Sequence, residues 1–282
     1  MKRPMTGKVV LVTGGTSGIG RETAIGLVRL GARVFLTGRD EGRCAETVQW
    51  IESGCDGAKV EGLMGDLSVQ SEVRRLVMEL RSKTDRLDVL VNNAGGWFGE
   101  RRLTVDGFER TWALNHLAYV LMTMELLDML RASGAGRVVN VASHLHAYGK
   151  MDFEDLNGER GYGSTKAYNQ SKLANVLFTM ALARQMEGRG LTVNALHPGA
   201  VATGMGRDMT PVMRLANGVM RWFYLSAEKG ARTSIYLASS PEVAGVTGKY
   251  FVRCKEVRPA RVCEDVALQE RLWKVSREQV GW

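Results

Sequence analysis

The stretch Lys8-Val-Val-Leu-Val-Thr-Gly-Gly-Thr-Ser-Gly-Ile-Gly20 decides the fold of this chain. Its apolar beginning, residues 8–13, predicts a buried strand, and the glycines that follow predict a tight turn that opens a helix. Gly14, Gly18 and Gly20 form the pattern Gly-x-x-x-Gly-x-Gly. Glycines at such a turn let a pyrophosphate approach the backbone N–H groups of a helix N-terminus. The place of the cluster, after the first strand of a strand–helix–strand unit, therefore indicates a dinucleotide site.

Apolar runs alternate with helical stretches from this segment to about residue 200. Strands are predicted at about 8–13, 31–37, 59–63, 87–91, 136–141 and 191–196, and helices at about 18–30, 41–52, 69–82, 104–131 and 165–187. This order predicts an α/β fold, a doubly wound parallel sheet of the Rossmann type with about seven strands and helices on both faces. Because no linker or repeat interrupts the pattern, residues 1–282 are expected to form a single dinucleotide-binding domain.

Composition narrows the classes of partner. The net charge of +8 could serve nucleic-acid binding, but the basic residues are dispersed, with no long basic run and no aromatic ladder among them. No nucleic-acid partner is expected. A surface that attracts a phosphate-rich cofactor and a surface charged only for solubility both explain the charge. No stretch approaches about 18 consecutive apolar residues, so no membrane span is expected.

The cysteines are scattered along the chain and form no Cys-x-x-Cys motif. They are Cys44, Cys55, Cys254 and Cys263. This spacing favours free thiols in a reducing compartment over disulfides or a zinc site. The sequence thus predicts a cytoplasmic protein without a metal.

The end of the second strand indicates which dinucleotide binds. Folds that select NAD place an acidic residue there to bind the ribose hydroxyls. Here Thr37-Gly38-Arg39 occupies that place, so the acid is missing and Arg39 offers a planar cation suited to a 2′-phosphate. NADP(H) is therefore preferred over NAD(H). Asp40 is the main argument for NAD, and its alternative role is to cap the following helix, which we favour.

Tyr168 and Lys172 are four residues apart in a predicted helix, in the run Ala167-Tyr-Asn-Gln-Ser-Lys-Leu-Ala174. This spacing puts both side chains on one face of the helix, one turn apart. An ammonium near a phenol favours the phenolate, which helps a tyrosine with an ordinary pKa of about 10 to exchange a proton near neutral pH. The spacing also occurs in simple surface pairs, so its meaning depends on the rest of the chain.

Further motifs follow in chain order. They are Asp66-Leu67 after the third strand, Asn92-Asn-Ala-Gly95 after the fourth, Asn115 in Trp112-Ala-Leu-Asn-His116, Ser143 in Val139-Asn-Val-Ala-Ser143, and His197-Pro-Gly-Ala-Val-Ala-Thr203. Together with the glycine turn and the tyrosine–lysine pair, these motifs resemble the short-chain dehydrogenase/reductase family over nearly the whole chain. The closest resemblance is to the subgroup of retinol dehydrogenases and related carbonyl reductases.

The resemblance implies four catalytic residues. Tyr168 would give a proton to the alkoxide that hydride transfer leaves, and would take it back in oxidation. Ser143 would hydrogen-bond the carbonyl oxygen. Lys172 would lower the pKa of the tyrosine and bind the nicotinamide ribose, and Asn115 would hold a water that links the lysine to solvent. Of the histidines nearby, His197 is expected to lie near the nicotinamide.

The resemblance also implies the cofactor contacts and a substrate lid. The contacts would come from Gly14, Thr16, Ser17, Gly18, Ile19, Gly20, Arg39, Asp66, Leu67, Asn93, Ala94, Gly95, Tyr168, Lys172, Pro198, Gly199, Val201 and Thr203. The lid would span about 203–226, and a C-terminal extension about 253–282. The methionines and aromatic residues of the lid, together with Trp97 and Phe98, favour a lipophilic substrate, although core packing explains the lid methionines equally well.

The sequence as a whole favours an NADP(H)-dependent oxidoreductase that acts on a small-molecule carbonyl/alcohol pair. A non-enzymatic dinucleotide-binding sensor or scaffold on the same fold is the alternative. Many relatives associate through the two long helices, so a homo-oligomer is possible. The 24 residues between Ser143 and Tyr168 could cover that face, and a monomer is equally compatible with the sequence.

Overall fold

The computed structural model of the chain describes residues 3–200 and 225–282. Its strands are β1 (Val9–Val12), β2 (Arg33–Gly38), β3 (Lys59–Met64), β4 (Val89–Asn92), β5 (Gly136–Val141), β6 (Leu191–His197), β7 (Tyr250–Val252) and β8 (Lys255–Val257). They form one sheet in the order β3-β2-β1-β4-β5-β6-β7-β8. Neighbours pair in parallel from β3 to β7. The predicted doubly wound parallel sheet is confirmed.

The last strand, β8, is antiparallel to β7 and was not predicted. A two-residue turn joins the pair, and both of its residues, Arg253 and Cys254, have positive φ, at 51° and 61°. Turns of this kind usually contain asparagine, aspartate or glycine. Because this turn has none of them, the usual hairpin signal is missing from the sequence.

Helices cover both faces of the sheet. They are α1 (Gly18–Arg29), α2 (Glu41–Gly54), α3 (Gln70–Lys83), α4 (Arg110–Trp112), α5 (Ala118–Glu125), α6 (Leu127–Ala132), α7 (Ser164–Gln185), α8 (Ala227–Ser239) and α9 (Val266–Val280). Side chains alternate across β1, so that Val9 and Leu11 join the core under α3, α5 and α7, whereas Val10 and Val12 join the core under α1, α2 and α8.

The prediction of one long helix at about 104–131 is wrong in two respects: the helix begins later, and it is interrupted. Gly107 has a φ of +81° and forms a turn ahead of the helix. The helix begins only after Glu109, whose carboxylate accepts from the N–H groups of Thr111 and Trp112 at 2.9 and 3.0 Å. It then widens into a π-helical turn over Ala113–Leu117 before α5.

The structure also describes the cysteines and the apolarity of the helices. All four cysteines are free thiols, as their spacing predicts. Within residues 3–200 and 225–282, no helix has both the length and the apolarity that crossing a membrane requires.

Candidate active site

A cleft of about 390 Å³ lies at the carboxyl ends of the parallel strands, where ligands bind in sheets of this kind. It is lined by all the described residues that the sequence assigns to the cofactor: Gly14, Thr16, Ser17, Gly18, Ile19, Gly20, Arg39, Asp66, Leu67, Asn93, Ala94, Gly95, Tyr168, Lys172, Pro198 and Gly199. Val201, Thr203 and nearly all of the predicted lid lie outside the described residues. The fold therefore brings together in one cleft residues that lie between positions 14 and 199 of the chain.

One end of the cleft, which we call the nucleotide end, is built from backbone. Gly14 has a φ of +64°, and a Cβ there would lie 2.9 Å from the Cα of Ala94. A Cβ on Gly20 would lie 2.2 Å from the carbonyl oxygen of Gly14. Real Cβ atoms do not approach backbone so closely, so both positions require glycine. The N-terminus of α1 is thereby left open toward the cleft, in the arrangement that binds phosphates.

Thr13 joins this turn to β4, a role that the sequence reasoning missed. Its hydroxyl oxygen accepts from the backbone N–H groups of Asn93 and Ala94 at 2.8 and 3.0 Å. The amide of Asn93 donates in return to the carbonyl of Thr13 at 2.9 Å. The Asn-Asn-Ala-Gly motif thus fixes the glycine turn against the sheet.

β2 ends at Gly38, and two arginines and Asp40 follow it along the cleft. A Cβ on Gly38 would lie 2.4 Å from the methyl carbon of Thr16, which leaves no room for a side chain unless Thr16 moves. Arg39 is exposed and lines the cleft, and so does Arg43, one helical turn later, which the sequence reasoning missed. Asp40 caps α2 by accepting from the N–H of Arg43 at 2.9 Å, so its predicted capping role is confirmed.

The other end, the catalytic end, is built from side chains. Tyr168 and Lys172 come from α7 and Ser143 from the end of β5, and all three are at most 8% exposed. The Ser143 hydroxyl accepts from the N–H of Leu145 at 3.2 Å, so its own proton is free to point elsewhere. It faces the phenol of Tyr168 and lowers the pKa of that phenol.

Burial has the larger influence on both titrating groups. It raises the pKa of Tyr168 to about 12 and lowers the pKa of Lys172 to about 7. The lysine Nζ donates to the carbonyl of Val141 at 3.0 Å and lies 5.7 Å from the centroid of the tyrosine ring. It is thus near enough to attract a phenolate, but it does not hold one in the resting site. The neutral phenol that results is a proton donor.

Asn115 lies behind the cleft wall and does not line it. It is fully buried in the π-helical turn. Its side-chain oxygen accepts from the N–H of Gly96 at 2.8 Å, and its amide donates to the carbonyl of Gly96 at 2.9 Å and to Ser171 at 3.1 Å. It therefore ties the wall of the cleft to α7 and its tyrosine, a contact that the motif does not reveal.

An aromatic wall borders the catalytic end, as predicted for Trp97 and Phe98. Trp97 stacks on Tyr168, with 4.6 Å between ring centroids and 10° between ring planes. Phe98, Leu114 and His197 also line the cleft. Burial lowers the pKa of His197 to about 4, so this ring is neutral at physiological pH. The side of the cleft beyond the phenol is therefore mostly apolar and uncharged.

Comparison with known proteins agrees with the geometry. Residues 8–213 match the family described as short chain dehydrogenase. The chain is 44% identical to mouse (Mus musculus) retinol dehydrogenase 14, over 98% of the chain and 87% of that protein. It is 39% identical to human (Homo sapiens) polyprenol dehydrogenase, over 99% of the chain and 86% of that protein.

Solved structures show the same fold. A Mycobacterium paratuberculosis protein of uncharacterised function superposes with a TM-score of 0.80 at 32% identity, over 98% of this chain and 94% of that one. The Pseudomonas aeruginosa RhlG/NADP complex superposes with a TM-score of 0.70 at 30% identity, over 89% of this chain and 96% of that one. The family and subgroup that the motifs predict are confirmed: the chain belongs to the short-chain dehydrogenase/reductase family, resembles its retinol dehydrogenases, and is an oxidoreductase acting on alcohols or carbonyls.

Proposed function

We propose that this protein is an NADP(H)-dependent oxidoreductase that interconverts the carbonyl and alcohol forms of a lipophilic small molecule in the cytoplasm. The observation that carries the proposal is that the nucleotide end and the catalytic end belong to one cleft. A glycine turn with nearby arginines lies at one end, and Tyr168 with Ser143 lies at the other. A dinucleotide that spans the cleft would reach from the arginines to the proton donor.

The nucleotide end fits NADP(H). The glycines leave the N-terminus of α1 open for phosphate oxygens. The absence of an acid at Gly38 and the presence of Arg39 and Arg43 favour a 2′-phosphate over free ribose hydroxyls. A relative of the same fold, RhlG, has been solved with NADP, which supports this choice. When bound, the nicotinamide supplies the hydride.

The catalytic end supplies the proton. Tyr168 is neutral because of burial, and it would give its proton to the oxygen that becomes an alkoxide. Ser143 would donate its hydroxyl proton to the same oxygen and stabilise the developing charge. Lys172 has a pKa of about 7 and is therefore charged in a large fraction of molecules at neutral pH. Its charge would stabilise the phenolate that remains.

The walls of the cleft support a lipophilic substrate. Trp97, Phe98 and Leu114 offer apolar surface beside the phenol, and few polar groups there could bind a sugar. Relatives named for retinol and for polyprenol support a lipophilic alcohol or carbonyl. The apolar wall supports a class of substrate and not one particular molecule, since such a wall accepts many apolar shapes.

The test is NADPH consumption across a panel of apolar and polar ketones and aldehydes. Tyr168→Phe should lower turnover by about 1000-fold, because it removes the proton donor, and should change the NADPH dissociation constant far less than turnover. Tyr236→Phe, which alters a half-buried tyrosine on α8 that does not line the cleft, is the matched control. Full turnover in Tyr168→Phe would refute the mechanism. NADPH binding without turnover on any substrate would favour the sensor or scaffold instead.

A further inference from the structure

The C-terminal segment, residues 258–282, reaches the catalytic residues from behind the cleft. Its helix α9 packs on α7 and α5, with Leu272 and Val280 fully buried. Two chains of polar contacts from this segment end at the main-chain carbonyls of Asn115 and Ser143, and each passes through a histidine. Neither histidine lines the cleft, so neither is explained by contact with a cofactor or a substrate.

The first contact runs from α9 to the backbone of Asn115. The Ser276 hydroxyl lies 2.7 Å from Nε2 of His116, and Nδ1 of that ring lies 3.2 Å from the side-chain oxygen of Asn175. The amide of Asn175 donates to the main-chain carbonyl of Asn115 at 2.9 Å. Because that carbonyl can only accept, the amide orientation is determined, and Nδ1 must carry the proton that bonds the Asn175 oxygen. Ser276 is then the donor to Nε2.

The second contact runs from the segment before α9 to the turn that carries Ser143. Nδ1 of His146 lies 2.7 Å from the carbonyl oxygen of Ser143, and Nε2 lies 3.1 Å from the backbone nitrogen of Ala260. The carbonyl accepts and the N–H donates, so this ring is also neutral with its proton on Nδ1. A charged ring would have no lone pair for the Ala260 N–H.

Surroundings favour the neutral form of both rings. Burial lowers the pKa of His116 to about 4 and also lowers the pKa of His146. His116 packs between Trp112 and Phe178, with ring centroids 4.4 and 6.1 Å away. The ring of His146 lies 4.7 Å from that of Tyr250. Each histidine is therefore held in one tautomer and one orientation by packing and by two partners.

The docking of α9 does not depend on these two histidines alone. Trp112 Nε1 donates to the side chain of Gln279 at 2.9 Å, and Gln70 donates to the Gln279 carbonyl at 2.8 Å. Arg74 donates to the carbonyl of Val280 at 2.6 Å. These contacts hold the end of the helix on α3 and α4. What the histidines add is a connection to the backbones of Asn115 and Ser143.

We propose that the C-terminal segment sets the geometry of the catalytic end, with His116 and His146 as positioning residues for Asn115 and Ser143. Since Asn115 fixes the Gly96 wall and Ser143 faces the phenol, a shift of either backbone would misplace the proton donor relative to the reacting oxygen. This inference rests on the proposed function for its effect on rate, although the positioning itself can be measured without turnover.

Two variants cut the two contacts separately. Ser276→Ala removes the donor to His116, and His146→Phe removes both hydrogen bonds of that ring while keeping an aromatic ring beside Tyr250. Ser234→Ala is the matched control, since it removes another fully buried serine hydroxyl, on α8, that has no partner among the described residues. Turnover is expressed per NADPH-binding site, so that a smaller folded fraction does not count as slower chemistry.

We expect kcat per site to fall roughly 5- to 10-fold in each of the first two variants, below the 100-fold that a 1 Å misplacement can cause. The NADPH dissociation constant should not change, and Ser234→Ala should match the wild type. Wild-type kcat per site in both Ser276→Ala and His146→Phe would overturn the inference. An equal loss in Ser234→Ala would overturn it as well, because the effect would then be general destabilisation.

Amide hydrogen exchange provides a readout that needs no substrate. Exchange over residues 110–125 should be faster in Ser276→Ala than in Ser234→Ala, and exchange over residues 141–149 should be faster in His146→Phe. Unchanged exchange in both segments would overturn the inference even if no substrate were turned over. An inactive wild type with these exchange changes would instead refute the proposed function and leave the positioning supported.

Discussion

The two ends of the cleft differ in what they are made of. The nucleotide end is formed mainly by backbone at glycine-rich turns, with exposed arginine side chains beside it, and its parts lie within short stretches such as residues 13–20 and 92–95. The catalytic end consists of buried side chains from the π-helical turn, β5 and α7, held from behind by the C-terminal segment. The nucleotide end has no space for side-chain atoms at its glycine positions, whereas the catalytic end holds polar side-chain atoms in fixed positions.

This difference has an energetic consequence. Glycines at a turn cost conformational entropy. Because a glycine has no side chain, it does not bury an ionisable group. The catalytic end buries a lysine and a tyrosine, and burial opposes the charged form of both. We therefore expect the nucleotide end to bind the cofactor more weakly when a side-chain atom is added at one of its glycines. The catalytic end should lose function, yet gain stability, when its charged group is removed.

The largest effect on cofactor binding is expected from adding one methyl group to the nucleotide end. In Gly20→Ala the new Cβ would lie 2.2 Å from the Gly14 carbonyl oxygen and 2.4 Å from Nδ2 of Asn93. Strain of about 3 kcal/mol should weaken NADPH binding about 100-fold, as measured by titration of cofactor fluorescence. Gly54→Ala adds the same methyl group where no atom lies within 4 Å, and it should bind normally. Equal binding by both variants would show that the turn has room to adapt.

At the catalytic end a substitution is expected to stabilise the fold, by a smaller free energy than the strain at Gly20. Lys172→Met should raise the free energy of unfolding by about 2 kcal/mol at pH 6, because it removes a buried charge. The lysine pKa is lowered from 10.5 to about 7 on folding, so the wild type gains stability as pH rises from 7 to 10.5. The advantage of the variant should therefore shrink over that range, while turnover stays low throughout.

Denaturant unfolding at several pH values measures this difference. Lys166→Met is the matched control, since Lys166 is exposed on the same helix and pairs with Asp152 at 3.2 Å. No gain is expected from it. If Lys172→Met were less stable than the wild type at pH 6, the charge of Lys172 would be stabilising where it is, contrary to the contrast drawn between the two ends.

The smallest effect is expected at the exposed cations of the nucleotide end. Arg39→Ala should weaken NADPH binding by about 1 kcal/mol, since an exposed ionic contact contributes little more, and should leave NADH binding unchanged. Arg131→Ala removes an exposed arginine outside the cleft and should alter neither constant. Equal weakening of both cofactors by Arg39→Ala would mean that Arg39 contacts the shared part of the dinucleotide.

Much of the nucleotide end could be predicted, because its signals are local. The glycine pattern, the missing acid at Gly38 and the strand–helix alternation can each be recognised within a few residues, and the sheet and the cleft lining agree with them. The residue pair Tyr168 and Lys172 could be recognised in the same way, since one helix carries both.

What could not be predicted depends on contacts between distant parts of the chain. The bonds of His116 and His146 to Ser276 and Ala260 span more than a hundred residues, and no spacing rule connects them. The π-helical turn contains Asn115, whose side chain bonds Gly96, and helix propensity does not include such a long-range contact. For the same reason, the helical pattern of residues 104–131 predicted one uninterrupted helix where the chain turns and widens.

The stack of Trp97 on Tyr168 has a consequence for the approach of a substrate to the phenol. An indole lying 4.6 Å from the phenol ring and nearly parallel to it covers one face of that ring. A substrate must then reach the phenolic hydroxyl from the uncovered side or from the edge of the ring. The indole therefore limits the directions from which a bulky molecule can approach the proton donor.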